Sequence, residues 1–148
     1  MAKNIIGGAV NRPFRIWYPE ETRMIYGGMM NFDMSDGEWM WEGRHGSFHS
    51  RYNPKPILMK GTGILIMDEK IGELRQLFQG DLITLKGTDL VIEIVWDERF
   101  AGFDWQVAGT EQRGEIYSDW DWKELCYDHL DRIIHLGNIY ENPELLNK

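Results

Sequence analysis

The chain has one cysteine, Cys126. A disulfide within one chain is therefore excluded, and so is a zinc site built on cysteines. No apolar run approaches the about 20 residues that a membrane-spanning helix needs. The opening MAKNIIGGAVNR has no apolar core of signal-peptide length. The expected compartment is a reducing one, the cytoplasm. Internal repeats are absent. No glycine stretch ends in GK[ST] or has dinucleotide-fingerprint spacing, so Gly7-Gly8 and Gly61-Thr62-Gly63 read as turn glycines, and no cofactor is expected.

Aromatic residues are plentiful. Seven Trp, six Tyr and six Phe, within a hydrophobic share of 43%, supply a packed core in 148 residues and argue against global disorder. With only moderate Leu and Ala, this composition favours strands over a helix bundle. The net charge of −8 is unevenly spread. Up to Gly63 there are eight Lys/Arg against six Asp/Glu, a balance of +2; from Ile64 onward there are eight against eighteen, a balance of −10. That C-terminal part is the opposite of a duplex-binding stripe. The N-terminal part offers Arg12, Arg15, Arg23, Arg44 and Arg51 for a local basic patch. Ends of opposite sign favour head-to-tail contact between copies, and a solvated surface of mixed sign is the plainer reading.

Residues 13–28 read as a hairpin: Phe14, Ile16 and Tyr18 alternate, Pro19 to Thr22 turns, and Met24 and Tyr26 pattern the return. A second hairpin is expected from Phe32 and Met34, through Asp36-Gly37, to Trp39 and Trp41. Residues 45–56 read as a linker. A short strand before Gly63 follows, then a helical turn over Asp68 to Phe78, where Ile71, Leu74, Leu77 and Phe78 have helical spacing weakened by Gly72. Gln79-Gly80-Asp81 turns into a short strand, Leu82 to Leu85. Residues 90–98 form the clearest strand, with Leu90, Ile92, Ile94 and Trp96 on one face. After a turn over Asp97 to Gly102, FDWQVAG resumes as a strand. A helix near 118–131 is expected, capped by Ser118 with Asp121 three later, with Trp122, Leu125, Cys126, His129 and Ile133 on one face. Gly137 and Asn138 end that run. Ile139-Tyr140 makes a short strand, and Asn142-Pro143 starts a last helical turn that docks Leu145 and Leu146.

The expected fold is mainly β with a minor α component. N-terminal β-hairpins over 1–55 serve oligomerisation. A C-terminal SH3-like small barrel over 56–148 carries the inserted helix near 118–131.

Candidate chemistry is sparse. His45 and His49 are four apart, but HGSFHS does not read as a helix, and nothing brings His129 and His135 to them. Asp119, Asp121, Glu124, Asp128 and Asp131 make an acidic face whose plain reading is a solvated surface at a helix start. Cys126 lies on an apolar face among acids, which suits burial and not a reactive thiolate. No metal, cofactor-binding or catalytic residue is assigned. The aromatic group Phe32, Met34, Trp39, Met40 and Trp41 reads three ways: core, subunit contact, or a base-stacking surface with Arg44 and Arg51.

Four segments in order resemble one family, the YopX family of phage and prophage proteins. They are FRIWYPEETRMIYGG, ILMKGTGILIMDEKIGELRQLFQGDLITL, IEIVWDERFAGFDW and IIHLGNIYENPELL. The first twelve residues lie outside it, and Gln79 stands where the family tends to have Glu. The resemblance implies a β-rich fold, a phage or prophage origin and a homo-oligomer, a ring among the forms it takes. It implies no activity. The expected function is that of a non-enzymatic homo-oligomeric assembly or interaction module in the bacterial cytoplasm. Its partners are itself and a phage or host protein. The alternative is a regulator that binds single-stranded nucleic acid on an SH3-like barrel.

Overall fold

A computed structural model describes residues 12–32, 38–44, 46–112 and 119–147. The first hairpin forms as read: β1 (Phe14–Tyr18) and β2 (Arg23–Tyr26) pair across a single turn at Pro19–Glu21. The return strand presents Ile25, opposite Ile16, to the same side as Phe14 and Tyr18. Met24 and Tyr26 lie opposite Trp17 and Arg15 on the other face. Period-two alternation thus gives this hairpin two buried faces.

The second hairpin pairs β3 (Met29–Phe32) with β4 (Trp39–Gly43). Its expected turn residues, Met34 and Asp36-Gly37, lie outside the described residues. The expected linker is corrected: Gly46–His49 is strand β5, which extends the sheet to β3-β4-β5. Phe48 stands opposite Trp41 and contributes to its core. The remaining connection, 50–56, contains a cis Asn53–Pro54 bond.

The strand expected before Gly63 is longer. β6 runs Ile57–Asp68, with an irregularity between Gly61 and Leu65. Gly61-Thr62-Gly63 belongs to that bulge and not to a turn; the Thr62 hydroxyl donates to the Leu77 carbonyl at 2.7 Å. The helical turn expected over 68–78 is also corrected. Gly72, at φ +70°, closes a hairpin into β7 (Glu73–Phe78). Leu77 and Phe78 are buried there, while Ile71 and Leu74 are exposed.

β8 (Asp81–Leu85), β9 (Ile92–Asp97) and β10 (Gly102–Val107) follow as read. The helix expected over 118–131 is shorter: it begins at Trp122, passes through a π turn at Glu124–Asp128 and ends in a 3-10 turn at Leu130–Arg132. Ser118 lies outside the described residues. Asp121 supplies the cap, its Oδ1 accepting the Glu124 N–H at 2.8 Å. The last strand is displaced relative to its reading. β11 is Ile133–Asn138, Gly137 included, and Ile139-Tyr140 lies in the turn beyond it. A bulge between His135 and Gly137 lets the strand continue. Pro143–Asn147 then forms the closing helical turn.

The sheets run β2-β1-β6-β7, β10-β9-β8-β11 and β3-β4-β5. The chain is mainly β, with a curled half-barrel and a few helical turns. Strand β1 pairs with β6 on the far side of the 50–56 connection. One core gathers Ile66, Leu77, Ile83, Leu85, Ile92, Ile94, Trp105 and Ile133 under Leu125 of the helical turn. The other joins Ile16 and Ile25 to Trp39, Trp41 and Phe48 of the N-terminal sheet.

Candidate interaction surface

The second buried face of the first hairpin is polar at one point. Arg15 Nη2 lies 2.9 Å from Asp81 Oδ1. Arg15 also donates to the Gln79 carbonyl at 3.1 Å, and its guanidinium sits 4.7 Å over the Phe78 ring. Asp81 Oδ2 accepts the Phe78 N–H at 2.8 Å, and His135 Nε2 lies 3.5 Å from Asp81 Oδ1. Burial alone would raise the Asp81 carboxyl, but Arg15 and His135 hold it below the ordinary carboxylate range. Nearby, Trp17 stacks on Tyr140 at 5.6 Å, which pins the C-terminal turn to β1.

A cleft of about 640 Å³ opens between β6, β11 and the helical turn. Strand alternation builds it. Ile66 and Ile133 enter the core, so their neighbours Met67 and Ile134 turn out. Met67 is 54% exposed, Ile134 37% and Tyr127 of the helical turn 71%; Leu130 completes the apolar lining. Leu74, opposite Met67 in the register, extends the patch onto β7. Glu69, Lys70, Lys86 and Asp131 also line the cleft. Lys70 Nζ donates to the Leu136 carbonyl at 3.3 Å, bridging the two strands.

The N-terminal sheet has two unlike faces. Its inner side carries Met30, Trp39, Trp41 and Phe48, and both tryptophans are buried. Its outer side carries Met29, 71% exposed, opposite Glu42, and Met40, 37% exposed, opposite Asn31 and His49.

The other residues singled out in the sequence are dispersed. His45 lies outside the described residues. His49 Nδ1 accepts the Arg51 N–H at 3.1 Å. His129 stacks on Trp120 with ring centroids 3.8 Å apart, and His135 is buried beside Asp81. Among the described residues no cluster of three or more His, Cys, Asp or Glu is arranged to hold a metal ion. Asp119, Asp121, Asp128 and Asp131 are exposed. Cys126 is buried, and burial pushes its thiol up to about 12. Arg51 Nε lies 3.7 Å from Glu38, and Trp39 and Trp41 are buried while Phe32 is exposed. Sequence reasoning missed the cleft, because its walls come from segments read as a turn and as a helix. No helix among the described residues is long and apolar enough to cross a membrane.

Comparison with known proteins adds three findings. The profile of the family described as YopX protein matches residues 13–147. Comparison with curated proteins gives no match. Among solved structures, the fold is similar to that titled "Crystal structure of protein EF1440 from Enterococcus faecalis". The TM-score is 0.58 at 21% identity, covering 90% of this chain and 96% of that one.

Proposed function

The chain belongs to the YopX protein family, and on that premise we propose that it is a non-enzymatic phage or prophage accessory protein of the bacterial cytoplasm that works by self-assembly. The outer face of the N-terminal sheet, with Met29 and Met40, packs against the cleft of Met67, Tyr127, Leu130 and Ile134 on the next copy. The C-terminal half-barrel, a module of SH3-like type, is presented to a phage or host protein. The observation that carries this reading is the exposure of Met29 and Met40 on one part and of Met67, Tyr127, Leu130 and Ile134 on the other, oppositely charged part. Two unlike faces make a heterologous contact, which gives a ring when the rotation closes. The −10 balance of the C-terminal part weighs against nucleic acid as the partner.

Complementary variants test the contact. Met29→Asp with Met40→Asp blocks one face, and Met67→Asp with Ile134→Asp blocks the other. Each variant alone is expected to be a folded monomer. Their mixture retains one intact pair of faces and is expected to form a dimer and stop there. A mixture that stays monomeric, or a single variant that still assembles fully, contradicts the reading.

A further inference from the structure

A second cavity, of about 450 Å³, lies between the start of β1, the Gly27-Gly28 connection and the inner side of the N-terminal sheet. Its apolar walls are Phe14, Met30 and Phe32, with Phe14 and Phe32 in an edge contact at 6.0 Å. Its two polar side chains, Arg12 and Trp41, are donors. Trp41 is 2% exposed, and its indole Nε1 has no hydrogen-bond partner. Arg12 Nε is buried and likewise unpartnered. No carboxylate among the described residues pairs with either group.

Both donors border the Gly27-Gly28 connection. A Cβ on Gly27 would collide with Arg12 Nη1, and one on Gly28 with Trp41 Nε1. The Arg12 guanidinium therefore packs on Gly27 and the Trp41 indole N–H on Gly28, and both residues line the one cavity. Both glycines have positive φ, +70° and +140°, so the connection is shaped for this approach. The Arg12 main chain is clamped as well. Its N–H donates to Gln76 Oε1 at 2.6 Å, and its carbonyl accepts from Gln76 Nε2 at 2.7 Å.

Buried donors left without acceptors are costly, and native structures leave few of them. A ligand that brings the acceptor removes the cost. We propose that this cavity binds a carboxylate carried on an apolar body. The planar anion takes the Arg12 guanidinium and the Trp41 N–H together, and the body packs on Phe14, Met30 and Phe32. A single negative charge suits one cation. A polyanion is opposed by the net charge of −8. The site does not depend on self-assembly, because its walls face inward from the face that carries Met29 and Met40.

Calorimetric titration with phenylbutyrate, and with phenylbutanol as its neutral counterpart, tests the proposal. The Trp41 indole N–H resonance, assigned from the Trp41→Phe variant, reports the location. The acid is expected to bind saturably, to shift that resonance, and to bind about tenfold or more tighter than the alcohol. Arg12→Gln is expected to erase the difference between acid and alcohol, and Arg12→Lys to restore part of it. Arg12 is only partly buried, so these variants are expected to fold even where Trp41→Phe does not. A peptide ending in phenylalanine, compared with its C-terminal amide, identifies the source. Tighter binding of the free-carboxylate peptide than of phenylbutyrate assigns the carboxylate to a polypeptide terminus, and weaker binding assigns it to a small acid. Equal affinity for acid and alcohol, no saturable binding, or an unchanged preference in Arg12→Gln overturns the proposal.

Discussion

Arg15 of β1 and Asp81 at the start of β8 form an ion pair of 2.9 Å in which each side chain is 1% exposed. It ties the N-terminal hairpin to the C-terminal sheet across the interior. Removing one partner leaves the other charged and buried, whereas the intact pair is hydrogen-bonded through Gln79 and Phe78. Arg15→Met is therefore expected to destabilise the fold by about 3–5 kcal/mol in urea melts. A loss under about 1 kcal/mol would mean that the pair does not join the two parts.

The same pair sets an acid limit. Burial works against the Asp81 charge, but Arg15 prevails and the folded carboxyl titrates below its unfolded value. The stabilisation is thus complete above the unfolded value, near pH 3.9, and is lost as pH falls through the depressed folded value. Wild-type stability is expected to fall in this acid range, and Asp81→Asn to show a shallower decline. Parallel pH curves for the two proteins would contradict this.

Cys126 is expected to be inert. Its thiol is buried and pushed up to about 12 by that burial, so almost none is thiolate at neutral pH. A thiol reagent should label it only at the rate of unfolding, accelerating with added urea. Rapid labelling of the native protein would place this helical turn in an open conformation.

Asn138 organises the C-terminal turn. Its Oδ1 accepts the N–H groups of Tyr140 at 3.0 Å and Glu141 at 2.8 Å, and its Nδ2 donates to Glu141 Oε1 at 2.7 Å. Asn138→Ala is expected to cost about 2 kcal/mol and to raise proteolysis at the C-terminus. Asn138→Asp keeps the acceptor, loses the donation to Glu141, and should recover only part of the loss. Equal effects of the two changes would mean that packing matters there and the hydrogen bonds do not.

Much of the fold was legible where local pattern and tertiary placement agree. Ile92 and Ile94 alternate with polar or half-exposed neighbours, and β9 follows directly. The segment 68–78 misled because Ile71, Leu74, Leu77 and Phe78 have helical spacing. Only the left-handed Gly72 and the pairing of Met67 with Leu74 show it to be a hairpin. In β11 the bulge after His135 breaks the alternation that would have marked a strand. Gly46–His49 is too short and polar to announce itself, and it becomes a strand because Phe48 completes the core beside Trp41. The cavity shared by Arg12 and Trp41 and the apolar cleft both arise from segments distant in sequence, which no local window contains.

The most direct measurement is the solution mass, by light scattering behind a sizing column, at micromolar concentration and at low and high salt. Self-assembly through the N-terminal sheet and the cleft predicts a stable multiple of 17.4 kDa, held chiefly by apolar contact and only modestly weakened by salt. A monomer at both salts contradicts it.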